Sequence, residues 1–422
     1  MIYALLLFIV TYVLMLTFSK YRPYIALASA LVFILTGMLP LDQIFTAIDW
    51  NVLLMIAGTM GLVQLFIDSR MPARLADMIM TKVPNVQMAA VALALFAGII
   101  SAFVDNVATV LMVAPVALAI CKKLDTNPVP FIIGIAVSSN LQGAATLVGD
   151  TTAIMLGSYA DMSFLDFFWY KGRPGIFFAV ELGAVVSALI LAWLFRKEKK
   201  PIERTTQLTP VTDYVPTVLL VGMIALLITA SFLPSKPDIT NGLICVTLFV
   251  IGMIYTYIRT RKAEAITGPI KSIDFETIGL LLGLFLIIGG ITNMGVVDAA
   301  AGLLAKMGGG NVFLIYTVIV WASVLFSAFI DNIPYVATML PVVTGLASTL
   351  GIDPTLLYFG LLSGATLGGN MTPIGASANI TGIGILRREG YEVKNSDFFR
   401  IGIPFTLAAV IPAYIYFWVV FA

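Results

Sequence analysis

The sequence contains no histidine. Imidazole proton relays and imidazole metal ligands are excluded together. There are two cysteines, Cys121 and Cys245, each inside or at the end of an apolar run, where a thiol acts as a small apolar side chain. Charge is scarce: Asp, Glu, Lys and Arg make up 11% of the chain, whereas soluble domains carry about 25%. A net charge of +1 gives no bulk attraction for nucleic acid. The alternating segments of about ten residues that mark a transmembrane β-barrel do not occur. Neither does a nucleophile–base pair or a metal-ligand motif, so the expectation is a non-enzyme without a cofactor. The N-terminus has no basic leader and no small-residue cleavage site, so Ile2–Phe18 reads as a retained first span.

What the chain does have is apolar length. Of its 422 residues 60% are hydrophobic, and the mean hydropathy is +1.01. Runs of the roughly 20 residues needed to cross a bilayer recur throughout. The fold class is therefore an all-α polytopic membrane protein. Candidate spans are Ile2–Phe18, Tyr24–Pro40, Val52–Ile67, residues 129–159, Gly175–Phe195, Val215–Leu233, Ile239–Ile258, Ile278–Ile291, residues 356–386 and Ile401–Ala422. A short amphipathic segment, Pro72–Lys82, follows the third. The one long polar stretch, 196–214, is taken as a linker between a first half, 1–195, and a second, 215–422.

The halves repeat. An offset of 226 aligns Ser101-Ala102-Phe103-Val104-Asp105-Asn106 with Ser327-Ala328-Phe329-Ile330-Asp331-Asn332. It also aligns Pro115 with Pro341, Pro128 with Pro354, Gly143 with Gly369, Thr146 with Thr372 and Gly149 with Gly375. An offset of 225 aligns Ile48-Asp49-Trp50 with Ile273-Asp274-Phe275, and Gly58 with Gly283. Each Asp-Asn pair cuts a long apolar run, 86–121 or 312–349, and such a run reads as a re-entrant hairpin. Five spans and one hairpin per half make the second half inverted relative to the first, an architecture found in secondary transporters. With both termini outside and 196–214 in the cytoplasm, only Lys171, Arg173, Lys236 and Lys306 of 24 basic residues fall outside, leaving 20 on the cytoplasmic side. The hairpins then enter from opposite sides and their tips meet near the midplane.

Four acids lie at membrane depth, Asp105, Asp150, Glu181 and Asp331, and no Lys or Arg is expected beside them. Intramembrane carboxylates are costly and point to function. A bound cation or protonation resolves the excess negative charge. Asp and Asn also cap helices, so both pairs are expected to cap as well as bind. The spans 129–159 and 356–386 are interrupted by small and polar residues. Gly143, Thr146 and Asp150 lie in one interruption; Gly369, Asn370, Thr372, Gly375, Ser377 and Asn379 lie in the other. Half-helix ends there present dipoles and free backbone to a ligand. Glu181 has no partner in the repeat.

These residues resemble the ion transporter superfamily, in particular the branch of arsenite permeases, NhaD-type sodium–proton antiporters and the melanosomal P protein. The citrate and dicarboxylate carriers are more distant relatives. The stretch Gly368-Gly369-Asn370-Met371-Thr372-Pro373-Ile374-Gly375-Ala376-Ser377-Ala378-Asn379 carries the likeness most strongly. The pattern departs at Thr151-Thr152-Ala153, where the family has Pro-Pro-Asn after Gly-Asp. The resemblance implies a homodimer with a mobile transport domain moving as an elevator. It also implies one ion site at Asp105, Asn106 and the Gly143–Asp150 loop, and a symmetry mate at Asp331, Asn332 and the Gly369–Ser377 loop, with substrate between the tips.

The expected function is secondary active transport of a small inorganic or weakly charged solute, arsenite-like or another small anion, coupled to Na⁺ or H⁺. Asp105, Asn106, Asp331 and Asn332 are the candidate Na⁺ ligands. Asn106, Thr146, Asn332, Asn370, Thr372, Ser377 and Asn379 are the candidate substrate ligands. The alternatives are Na⁺/H⁺ antiport and carriage of a citrate- or dicarboxylate-type anion; a channel would need a continuous pore. The expected location is a prokaryotic plasma membrane.

Overall fold

The computed structural model describes residues 1–201, 208–233 and 235–422. Residues 202–207 of the expected linker lie outside the described residues. The first half runs through α1 (Ile2–Thr17), α2 (Arg22–Leu35), the single turn α3 (Ile44–Ala47), α4 (Trp50–Asp68), α5 (Met71–Met80), α6 (Val86–Ser101), α7 (Asn106–Leu124), α8 (Val129–Gly143) and α9 (Thr151–Tyr159). A two-stranded hairpin, β1 (Trp169–Tyr170) with β2 (Arg173–Pro174), leads into α10 (Ile176–Leu194). The second half comprises α11 (Val215–Ser231), α12 (Thr240–Thr260), α13 (Glu264–Ser272), α14 (Phe275–Asn293), α15 (Val296–Gly308), α16 (Val312–Ser327), α17 (Asn332–Leu350), α18 (Thr355–Gly368), α19 (Ser377–Arg388) and α20 (Asn395–Phe421).

Local signals at the same offsets start corresponding helices. Asp49 accepts a hydrogen bond from Val52 N, and Asp274 one from Thr277 N. Asn85 accepts from Met88 N, and Asn311 from Leu314 N. Asp105 accepts from Val107 N and Ala108 N, and Asp331 from Ile333 N. Each cap satisfies backbone donors that a helix start leaves open.

Contacts between the halves recur in exchanged form. Gly58 of α4 lies against the Cys245 backbone of α12, and Gly283 of α14 against the Ala26 backbone of α2. Small residues let those helices approach closely in a lipid environment. Equivalent elements α10 and α20 pack on each other, with Ser187 Oγ donating to Phe405 O at 3.1 Å. The outer faces stay apolar and open: Leu189 is 66% exposed, Val221 60% and Val419 75%. Such a surface suits lipid.

By length and composition, seven helices among the described residues can cross a membrane, or nine if each sharply bent pair counts as one. The ten expected spans divide differently. α1 and α2 meet at 116° and have 16 and 14 residues, so α2 extends only about 21 Å and can begin inside the bilayer. The interrupted spans split into α8 with α9 and α18 with α19, each piece under 18 residues. The hairpin arms are longer than a half-depth loop requires: α6 and α16 have 16 residues, α7 and α17 have 19. A 19-residue arm is about 28 Å long, close to a full crossing. Pro115 and Pro341 sit inside the longer arms. α15 is a helix the sequence reading missed. It occupies the place in the second half that α5 occupies in the first, and it meets α16 at 119°.

Candidate functional site

The first hairpin turns between Ser101, the last residue of α6, and Asp105, the cap of α7. Against this turn sits the break between α8 and α9, residues 144–150. Gly149 makes the fit possible. A methyl group on it would lie 2.5 Å from Gly143 O, 2.7 Å from Ser101 O and 2.8 Å from Ala102 O. The Thr146 hydroxyl donates to Ala102 O and fastens the break to the tip. The second tip repeats the arrangement. A methyl on Gly375 would lie 2.5 Å from Gly369 O, 2.8 Å from Ser327 O and 3.0 Å from Ala328 O, and the Thr372 hydroxyl donates to Ala328 O. The repeated Gly-x-x-Thr-x-x-Gly spacing thus has a local cause: the threonine ties the break to its hairpin, and the second glycine admits the hairpin's carbonyls.

A chain of side-chain amides connects the halves. Asn106 Nδ2 donates to Asn140 Oδ1 at 3.1 Å. Asn140 Nδ2 donates to Thr366 O at 2.7 Å and Asn370 Oδ1 at 3.0 Å. Asn370 Nδ2 donates to Val137 O at 3.0 Å. Asn140, Thr366 and Asn370 are completely buried. Truncating Asn140 leaves partners on both sides unsatisfied, each costing about 1–3 kcal/mol. Asn140→Ala is therefore expected to destabilise the protein by roughly 2–4 kcal/mol. A thermal unfolding series in detergent checks it; a midpoint indistinguishable from that of the unsubstituted protein would show that the chain carries no stability.

The tips differ in charge. At the first, Asp105 is joined by Asp150, and both line a cavity of about 10 Å³ with Thr59 and Gly149. That is room for about one water-sized body. Thr152 Oγ1 donates to Asp150 Oδ2 at 2.7 Å and meets Thr366 Oγ1 at 2.9 Å. The sequence's departure from the Pro-Pro-Asn pattern therefore supplies a hydroxyl to the carboxylate. At the second tip the residue equivalent to Asp150 is Ala376, and Arg22 Nη1 lies 3.2 Å from Asp331 Oδ2. This corrects the expectation that no basic residue accompanies the deep acids. Arg22 falls near a polar turn in the sequence, but α2 is short enough to bring its first residue to the tip.

The other site residues are placed unevenly. Asn332 is buried at the first position of α17, and Ser377 is half-buried at the start of α19. The Asn379 amide donates to Gly369 O and Thr372 O, both at 3.0 Å, so its nitrogen braces the break and its Oδ1 is left without a partner. Ser101 Oγ, Thr109 Oγ1 and Gln142 Oε1 are buried without a partner in the first half, whereas Ser327 Oγ, the counterpart of Ser101, donates to Ala365 O. Glu181 lies part-exposed on α10 and makes none of the contacts that build either tip. Asn140, Thr152 and Arg22 were not among the candidate site residues. A completely polar amide in the apolar α8 was a readable signal for Asn140; the other two depend on tertiary contacts.

A cleft of about 1160 Å³ has Leu147 of the first break in its wall. Its walls include Asp49 and Trp50 at the start of α4, Asp161 after α9, Asp238 before α12, Asn293 at the end of α14 and Ala337 on α17. α7, α9, α17 and α19 all begin at the tips, and helix N-termini favour negative charge.

Among curated proteins, the chain is 29% identical over 431 residues to an uncharacterized transporter of Mycobacterium tuberculosis, covering 99% of this chain and 98% of that protein. A second uncharacterized transporter of that bacterium is 30% identical over 424 residues, covering 98% and 97%. The human P protein is 29% identical over 387 residues, covering 74% of this chain and 46% of the P protein. Solved structures with the same fold include the YdaH transporter of Alcanivorax borkumensis (TM-score 0.62, 13% identity, 89% and 87% of the two chains) and MtrF of Neisseria gonorrhoeae (TM-score 0.57, 15% identity, 97% and 84%). The model of the citrate transporter family matches residues 6–359 and again 242–422. Spanning nearly the whole sequence between them, these matches show that the chain belongs to the citrate transporter family, and it is a membrane transporter.

Proposed function

We propose that the chain is a secondary active transporter that moves a small inorganic or weakly charged solute, coupled to Na⁺ or H⁺ bound at the hairpin tips. The observation that carries this reading is the first tip: two carboxylates, the half-buried Asp105 and the buried Asp150, face one water-sized cavity beside a broken helix, with no basic group among its lining residues. Such a site favours a cation or a proton. Inverted repeats are supported by the exchanged α4–α12 and α14–α2 contacts and by the paired caps. The large cleft lies at the end of the bundle that the basic-residue count puts outside. Elevator movement would carry the tips and broken helices past α4 and α14 and close that cleft.

A second reading, carriage of a citrate-type organic anion, draws on Arg22, on the helix N-termini at the tips and on the description of the family. Purified protein in proteoliposomes separates the readings. An imposed Na⁺ or pH gradient is combined with arsenite, a small inorganic anion or citrate as the test solute. Gradient-driven flux of arsenite or the small anion is expected, with saturation and counter-stimulation. Flux of citrate alone would favour the second reading. A pH change driven by Na⁺ without any solute would instead establish Na⁺/H⁺ antiport. Flux that neither saturates nor responds to trans solute would indicate a channel.

A further inference from the structure

The two tips share their backbone plan but not their electrostatics. The first holds Asp105 and Asp150. The second holds Asp331 alone, because Ala376 stands where the first has Asp150. Its carboxylate is paired with Arg22, whose side chain is 21% exposed against 16% for Asp331. Arg22 is also held from behind: its Nε donates to Met15 O at 3.3 Å. The guanidinium is thus fastened between the end of α1 and the cap of α17. Arginine is permanently charged and offers several donors in a fixed plane.

We propose that Arg22 is the resident cation of the second tip, so that this tip takes no free inorganic cation and the first tip alone binds the coupling ion. This inference rests on the reading of the tips as ion sites. A guanidinium within hydrogen-bond reach of Asp331 neutralises the charge that a free cation would otherwise be drawn to. It also enters the place from the α1–α2 corner, outside the hairpin, so the neutralising charge is covalently attached to a different element from the carboxylate. Among the described residues the first tip has no such tether, and the unpartnered Ser101 hydroxyl lies beside it where Ser327 is already bonded at the second.

The test compares the unsubstituted protein with Arg22→Gln, Arg22→Lys and Asp105→Asn, each purified whole. Thermal stabilisation by NaCl, against choline chloride at equal ionic strength, gives a cation titration for each. The slope of unfolding free energy against RT ln[Na⁺] at saturation counts the ions bound: it is expected to be about one for the unsubstituted protein and about two for Arg22→Gln, as a second cation replaces the lost charge. Arg22→Lys keeps a tethered charge and is expected to titrate like the parent. Guanidinium chloride at millimolar concentration should suppress the second step in Arg22→Gln. Asp105→Asn should remove the single step of the parent. A slope of about two in the unsubstituted protein overturns the proposal while leaving the ion-site reading intact. So does an unchanged slope in a folded Arg22→Gln protein. Absence in the parent of both a Na⁺ response and a pH-dependent stabilisation that Asp105→Asn removes overturns the ion-site reading itself and the role of Arg22 with it.

Discussion

Asp105→Asn is expected to weaken coupling-ion binding about 100-fold, a loss of roughly 2.7 kcal/mol. The substitution removes the carboxylate charge but keeps a side-chain oxygen that can cap α7, and Asn caps a helix about as well as Asp. Val107 N and Ala108 N, which Asp105 serves at 3.0 and 3.1 Å, therefore keep an acceptor. The fold stays and the charge goes. Interactions with an ionised partner contribute about 1.5–3 kcal/mol each, and the expected loss falls in that range. The measurement is the initial rate of ion-driven flux in proteoliposomes as a function of cation concentration. Asp353→Asn is the matched control: Asp353 accepts from Thr355 N at 2.9 Å at the start of α18, its side chain is 58% exposed, and it lies at the opposite end of that helix from the break. Half-saturation moving by less than about threefold in Asp105→Asn, within the scatter of a surface change, would end the role assigned to Asp105.

The helical, polytopic character of the chain was legible in its hydropathy, because lipid leaves only helices and closed barrels as spanning structures. The repeat was legible too, since the glycine, threonine and proline positions that serve the breaks and hairpins cannot drift without spoiling a backbone contact. Thr146 and Thr372 show why: each hydroxyl donates to the equivalent carbonyl, Ala102 O or Ala328 O. The asymmetry between the tips was less readable. Ala376 opposite Asp150 is visible in an alignment of the halves, but Arg22 stands about 300 residues from Asp331 in sequence, and nothing local announces their meeting. Its position next to Lys20 and Tyr21 reads as an ordinary basic turn. A run such as 86–121 gives the existence of a turn at Asp105 but not the depth its arms reach, and arms of 16 and 19 residues exceed a half-crossing. The amide chain through Asn140 joins residues from both halves, and such a contact follows only from how the halves dock.

Gly149→Ala and Gly375→Ala are each expected to destabilise the protein by about 3 kcal/mol or more, at the upper end of what overpacking costs. The reason is what the methyl group meets. At Gly149 it meets three backbone oxygens, those of Gly143, Ser101 and Ala102, at 2.5 to 2.8 Å. At Gly375 it meets those of Gly369, Ser327 and Ala328 at 2.5 to 3.0 Å. A flexible side chain could turn aside, but these oxygens belong to a helix end and a hairpin turn that are themselves hydrogen-bonded. Relief requires the hairpin to move away from the break, and that movement stretches the bond from Thr146 or Thr372. Gly222→Ala and Gly302→Ala provide the contrast, since both glycines lie within helices and neither has an atom within 4 Å of the added carbon. There the change is expected to be neutral or to stabilise by up to about 1 kcal/mol, through the better helix propensity of alanine. Thermal unfolding of the four variants in one detergent makes the comparison. Equal midpoints for the Gly149 and Gly222 variants would mean that the break does not bear on its hairpin. The ion titration adds a second axis. Displacing the first hairpin moves Asp105 relative to Asp150 and should weaken cation binding beyond the loss of stability. Displacing the second moves Asp331 relative to Arg22 and should leave the cation titration of the first tip in place. Two substitutions with the same steric cause and similar cost in stability thus part company in ion binding, because the backbone plan is shared between the tips and the charge is not.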